Sequence, residues 1–221
     1  MELNVMSTIL TGKSLDSQLE LLRHNIQREL IGKEKRPVTI AVTSCESGEG
    51  VTTVSTNLAA CLAKQRDVEV LLIDGNTASD SLERRLAQGK IAGMMRMPGD
   101  TSPSTWPIQQ ISSNFSVLSS AKAKKKTDID TFYSSANGCI ERAKERFQFV
   151  VLDCPPIRRM FSSLHVFELV DGVILVVEAE KVRREVIEKE VSMLKNAGAK
   201  ILGVVLNKRR FPIPKFLYRR L

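Results

Sequence analysis

The chain has 221 residues, 43% of them hydrophobic and 26% charged, and 33 basic side chains against 25 acidic ones leave a formal net charge of +8. That length and apolar fraction suit one domain with a full core. No apolar run approaches the roughly 20 residues of a membrane-spanning helix, and the N-terminus lacks a signal-peptide core, so a cytoplasmic location is expected. The positive balance favours acidic partners (a membrane surface, nucleic acid or an acidic protein face) without selecting among them. Cys45, Cys61, Cys139 and Cys154 show no paired metal spacing and read as reduced thiols.

In chain order, residues 15–30 read as an amphipathic helix. Short apolar runs at 37–43, 68–74, 147–153, 172–177 and 200–206 read as strands buried on both faces of a parallel sheet. Helical stretches fall at 52–64, 129–146 and 183–196. The last carries Val186, Ile187, Val191 and Leu194 near helical spacing and stops at Gly198. Residues 89–113, rich in Gly, Pro, Ser and Met, read as an irregular surface excursion, and no internal repeat is present. The alternation predicts an α/β fold, a doubly wound, mostly parallel sheet with helices on both faces and ligands at the carboxyl ends of the strands. The expected organisation is a helical segment over 1–36, the sheet domain over 37–207 and a basic, aromatic tail over 208–221.

Residues 45–52 read Cys-Glu-Ser-Gly-Glu-Gly-Val-Thr. The pattern G-x-x-x-x-G-K-[ST] surrounds nucleotide phosphates with backbone N–H groups, sets a lysine on the β/γ oxygens and offers a hydroxyl to Mg²⁺. Gly48, Gly50, Thr52 and Thr53 are present, but Val51 stands where the lysine belongs. A strand precedes this loop and a helix follows it, the context a phosphate site requires, and the helix N-terminus favours an anion even without the lysine. Two further apolar strands end in Asp74 and Asp153. They place carboxylates at the same sheet edge, where they would hold hydrated Mg²⁺ or orient a nucleophile.

These residues, with Thr43-Ser44, Asn57-Leu58-Ala59, Val70–Asp74, Asp153-Cys154-Pro155-Pro156, Val170-Asp171-Gly172-Val173 and Gly203-Val204-Val205-Leu206-Asn207, resemble the bacterial tyrosine kinases of capsule and exopolysaccharide synthesis. Those belong to the Min/Par-type P-loop ATPases. The resemblance runs from about residue 15 to 207 in the family's motif order. It implies a P-loop NTPase sheet and ATP or ADP with Mg²⁺, held by Gly48, Glu49, Gly50, Val51, Thr52, Thr53 and Asn207. Thr52, Asp74 and Asp153 fall at the metal, and the two aspartates at the catalytic positions. It also implies a membrane-embedded regulator of polysaccharide chain length and export as partner, with this chain peripheral at the inner face of the plasma membrane. In active members ATP drives autophosphorylation of a tyrosine-rich tail, and cycling between ring and monomer controls export.

The departures point to impaired catalysis and weakened nucleotide binding. Besides Val51, Asn76 replaces the second acid of the family's Asp-x-Asp motif in Asp74-Gly75-Asn76-Thr77. Ser17, Glu20 and Arg23 occupy the Glu-x-x-Arg-x-x-Arg positions of its oligomerisation helix, so only the last arginine remains and the oligomeric state stays open. The tail holds one tyrosine, Tyr218, rather than a cluster. A hydrogen bond to a charged group is worth roughly 1.5–3 kcal/mol, so a lost lysine weakens ground-state binding about 10- to 150-fold. The transition state suffers more, because charge develops on the transferred group. Arg158 or Arg159, just past the third motif, are the alternative cations.

Two other readings stand beside an impaired regulatory partner. One is a working ATP-dependent tyrosine autokinase that phosphorylates Tyr133 or Tyr218. The other is a Min/Par-like localisation factor whose tail, with Lys208, Arg209, Arg210, Lys215, Arg219 and Arg220 among Phe211, Phe216, Leu217, Tyr218 and Leu221, enters an anionic membrane surface. There each basic residue adds about 1 kcal/mol. The basic run Lys122, Lys124, Lys125 and Lys126 reads as a solvated loop. It has no aromatic interleaving for stacking bases, which argues against nucleic acid. Cys45 and Cys154, both at strand ends, read as small buried thiols rather than a redox pair. His24 and His165 have no recognisable partner, and Trp106 reads as local packing.

Overall fold

A computed structural model describes residues 15–31, 36–76, 82, 93–94, 106–120 and 127–208. Helix α1 (Leu15–Ile26) runs into a π turn, Gln27–Ile31. Strand β1 (Val38–Ser44) leads through the glycine loop into α2 (Val51–Leu62) and β2 (Val70–Asp74). The short β3 (Gly93–Met94), β4 (Gln109–Ser112) and β5 (Phe115–Ser120) follow, then α3 (Thr127–Tyr133), α4 (Ala136–Lys144) and β6 (Phe149–Asp153). Two 3₁₀ turns (Ile157–Arg159 and Phe161–Phe167) lead to β7 (Gly172–Glu178), α5 (Arg184–Asn196) and β8 (Ile201–Asn207).

The strands form one sheet in the order β3-β5-β2-β6-β1-β7-β8, parallel throughout, with β4 antiparallel to β5. This is the expected doubly wound, mostly parallel α/β sheet. Period-2 alternation divides the core. Leu71, Ile73, Val150 and Leu152 join the cluster beneath α3, α4 and α5, whereas Val70, Leu72 and Val151 join the one beneath α1 and α2. Helix α1 buries Leu19, Leu22 and Ile26 and leaves Leu21 exposed. Its Glu20 accepts from the Cys61 thiol and its successor Gln27 donates to Gln65, so the N-terminal segment is fastened to α2. At the other end, Gly198 at φ 78° lets the N–H groups of Gly198 and Ala199 bond back to Lys195 and Leu194, closing α5.

Three expectations need correction. The helix over 129–146 is two helices, broken at Ser134-Ser135, residues that favour turns and caps over helix interiors. The excursion over 89–113 contains β3 and β4 among its described residues. Strand β5 is absent from the sequence reading: Ser116 and Ser119 interrupt its apolar run, yet both are buried because the strand is covered on both faces. The lysines at 122–126, Thr77 and the tail from 209 onward lie outside the described residues, as does the side chain of Ser17.

Candidate functional site

The loop after β1 is shaped by two left-handed glycines, Gly48 at φ 86° and Gly50 at φ 97°, a conformation that costs other L-residues dearly. Gly50 sits at the N-cap of α2, and its carbonyl accepts from Thr53 and Val54. The loop thus leads straight into the N-terminus of a helix, the arrangement that suits an anion.

Two predicted side chains turn away from that opening. Glu49 is fully buried, and its carboxylate oxygens accept from the backbone N–H groups of Glu46 at 2.8 Å and Glu178 at 3.0 Å. Burial pushes its pKa up against the pull of those donors. Glu49 thus braces the loop against β7, and only its backbone faces the opening. Val51 is 7% exposed and belongs to the apolar cluster that includes Val54, Leu58 and Val176. The position of the missing cation has become part of the core.

Strands β2 and β6 bring the two aspartates together. Asp74 and Asp153 are direct cross-strand partners in the parallel register, and both are buried. Asp74 accepts from the Asn76 N–H at 3.1 Å and from the Ser119 hydroxyl at 3.4 Å. Ser119, from the unforeseen β5, was not legible as a site residue. Asn76 contributes its backbone N–H to a turn rather than a second carboxylate. Behind the pair, the Gly75 N–H donates to the Asp153 carbonyl, and the fully buried Tyr133 lays its hydroxyl over Gly75, where a Cβ would collide. Burial, then the neighbouring Cys154 and the two aspartates, push the Tyr133 phenol well above its ordinary pKa. Tyr133 is therefore not presented as a phosphate acceptor in the folded chain.

Strand β1 and β8 complete the loop. Thr43 donates to the Pro155 carbonyl at 2.8 Å and the Cys154 N–H to Val42 at 2.9 Å, tying the Asp-Cys-Pro-Pro segment to the loop's base. Asn207 donates its side-chain amide to the Glu49 carbonyl at 2.8 Å. Lys208, one residue further, donates to the Gly48 carbonyl at 2.5 Å and pairs with Glu178 at 3.2 Å. The sequence reading assigned Lys208 to the tail; only the contact shows it on the loop. Arg158, one of the two alternative cations, pairs instead with Glu190 at 2.8 Å, a carboxylate 1% exposed. Cys45 and Cys154 are buried free thiols, both pushed to about 12 by burial.

The residues fit a nucleotide's phosphates and Mg²⁺ in one respect and depart in another. The glycine loop with its helix N-terminus, and two adjacent carboxylates, suit Mg²⁺ bound jointly with phosphates rather than in an all-protein cage. The valine in the core leaves the phosphates without the usual cation.

Comparison with known proteins gives this geometry its family. The ParA family model, described as NUBPL iron-transfer P-loop NTPase, matches residues 36–217. The tyrosine-protein kinase CpsD of Streptococcus agalactiae is 30% identical over 206 residues, 92% of this chain and 87% of that protein. Among solved structures, the kinase domain of the Escherichia coli tyrosine kinase ETK superposes with a TM-score of 0.78 at 18% identity, covering 96% of this chain and 94% of that one. The septum site-determining protein MinD of Pyrococcus horikoshii, complexed with Mg-ADP, gives 0.63 at 25% identity, over 83% and 76% of the two chains. The chain therefore belongs to the ParA-type P-loop NTPases and, within them, to the bacterial tyrosine kinases of capsule and exopolysaccharide synthesis.

Proposed function

We propose that this chain is a catalytically impaired, tyrosine-kinase-like P-loop protein. It acts by binding, as the regulatory partner of a membrane protein that sets polysaccharide chain length and export. The observation that carries the reading is Val51: the lysine position of the loop is occupied by an aliphatic side chain packed into the core, while the surrounding scaffold is intact. In this reading the loop backbone, Thr52, Thr53 and Asn207 hold ATP or ADP weakly, and Thr52, Asp74 and Asp153 contact Mg²⁺. The metal would offset phosphate charge; the chain itself positions the phosphates without driving their transfer. Residues 37–207 form the nucleotide domain, with residues 1–36 as a helical brace. Among the described residues no helix is long and apolar enough to cross a membrane, and the peripheral position at the inner membrane face follows from the partner.

The test is incubation of the full chain with Mg²⁺ and ATP, followed by phosphotyrosine detection. Little or no incorporation is expected. Robust incorporation that vanishes in Asp153→Asn would establish the second reading, an active autokinase, which the retained aspartate pair favours. Tyr218 would then be the acceptor to examine first, since Tyr133 is buried.

A further inference from the structure

The 3₁₀ turns after β6 bury one face and expose another. Ile157, Met160, Ser163 and Phe167 lie in the core, and the Ser163 hydroxyl donates to Asp130 of α3 at 2.5 Å. Arg158, Phe161, Ser162 and His165 face outward, with Arg159 partly buried between them. Phe161 is 58% exposed, one of two large exposed apolar side chains among the described residues. No acid occurs from Ile157 to Phe167. We propose that this face is the docking site for an acidic peptide segment of a protein partner. Phe161 packs against an apolar side chain of that segment, and Arg158 and Arg159 take its carboxylates. The inference rests on the reading that the chain acts through a protein partner.

Arg158 is set for this role by the carboxylate behind it. Its Nε donates to Glu190 at 2.8 Å. Glu190 is buried, whereas the Arg158 side chain is 47% exposed. That bond uses one of the guanidinium's five donors, so the buried carboxylate fixes the long side chain while the outer edge of its fork meets solvent. Holding the arginine in place beforehand lowers the entropy cost of binding, and a guanidinium edge matches a carboxylate with two parallel bonds. A fixed arginine beside an exposed aromatic ring is the composition of an interface anchor. A bilayer fits less well, because one phenylalanine on a 3₁₀ turn lacks the apolar stripe of an interfacial helix. The face begins just past the Asp153-Cys154-Pro155-Pro156 segment, and its charges reach the glycine loop. Burial, then Glu49 and Glu190, push the Cys45 thiol up, and Arg158 pulls it down. A segment docked on Arg158 would thus lie beside the nucleotide site.

Fluorescence anisotropy of the full chain with two labelled peptides tests this. One carries a central phenylalanine flanked by glutamates, and the other has serine in its place. The phenylalanine peptide is expected to bind more tightly. Phe161→Ser should weaken it about 5- to 10-fold and change the serine peptide by less than about twofold. Arg158→Met combined with Glu190→Met removes both partners, strands no buried charge and leaves the net charge unchanged. It should weaken both peptides about 5- to 10-fold. Arg66→Gln, at the exposed turn after α2, removes one positive charge elsewhere and should change neither peptide by more than about twofold. Phe161→Ser, at an exposed position, decides the matter if the double variant does not fold. No binding of the phenylalanine peptide overturns the proposal, as does equal affinity in Phe161→Ser or a matching loss in Arg66→Gln. So does a Phe161→Ser loss confined to co-sedimentation with vesicles of phosphatidylcholine and phosphatidylglycerol in equal parts. Absent peptide binding would leave impaired catalysis standing. Phosphotyrosine incorporation with ATP would overturn impaired catalysis and leave this docking face in place.

Discussion

The Asn207 side chain donates to the Glu49 carbonyl while its amide nitrogen occupies the space into which a Cβ at Gly50 would project. The last residue of β8 thereby fixes the tightest turn of the phosphate loop, some 158 positions earlier in the chain. Gly50→Ala adds both this collision and left-handed backbone strain, and is expected to cost about 1–3 kcal/mol. Asn207→Ala, which removes one buried hydrogen bond, should cost about 1 kcal/mol. Urea unfolding of the two single variants and the double variant should show a double loss smaller than the sum, because the collision disappears with the amide.

Val51→Lys restores the family's cation at the expense of core packing. Nucleotide affinity should rise about 10- to 150-fold, measured by titration with Mg-ADP. The urea midpoint should fall, because an ammonium must leave the apolar cluster around Val54 and Leu58 to reach the loop. No gain in affinity would mean that position 51 no longer addresses the phosphates.

At the opposite sheet edge, Asp171 accepts from Arg36 at 2.6 Å and from the Thr39 N–H and hydroxyl at 2.8 Å each. Burial raises its pKa, but these donors together outweigh burial and hold it below the ordinary 3.8. A depressed carboxylate stabilises the fold above its unfolded pKa, and that stability is lost as pH falls through the folded value. Asp171→Asn should therefore cost about 1.5–3 kcal/mol at neutral pH and flatten the decline of stability below about pH 4. ADP binding should be unchanged, because the loop is at the other edge.

Thiol chemistry should report folding rather than function. Burial pushes Cys45, Cys139 and Cys154 up to about 12 and Cys61 to about 11, from an ordinary 9.0. Unfolded thiols ionise near 9 while native ones stay protonated, so the native state binds more protons and stability falls as pH rises from about 9 toward 12. Iodoacetamide at pH 8 should label the native chain slowly and the urea-unfolded chain rapidly, followed by mass spectrometry. Rapid native labelling of Cys45 would point to an open loop.

Tyr133 packs its ring edge-on against Phe132, centroids 5.1 Å apart, and its hydroxyl lies over the Gly75 backbone beside the Cys154 sulfur, a weak acceptor. Tyr133→Phe should change stability by less than about 1 kcal/mol, since little hydrogen bonding is lost. Gly75→Ala should be damaging, and Tyr133→Phe should relieve part of that damage. Calorimetric unfolding measures all three.

Much of this molecule is written locally. Apolar runs long enough for strands, alternating with helical periods, specify the parallel sheet. The glycines at 48 and 50 specify a phosphate loop because few other residues adopt their backbone angles. The strand-end aspartates could be placed at one sheet edge from the sequence, whereas their pairing across β2 and β6 came from the register. Helix ends were less legible at Ser134-Ser135, where a turn preference competes with a long helical period. Strand β5 was hidden because its buried serines break the apolar pattern that marks a covered strand.

By itself, then, the sequence determined the sheet class, the loop, two carboxylates at one sheet edge and the absence of a lysine at position 51. The tertiary structure decided what each side chain does there. Glu49 turns inward to brace the loop, Val51 becomes core, Arg158 is committed to Glu190, and Lys208 arrives on Gly48 from β8. The reason is physical. Backbone angles and periodicity act over a few residues and can be read locally. The destination of a charge depends on which distant carbonyls and carboxylates the sheet order brings within hydrogen-bond reach.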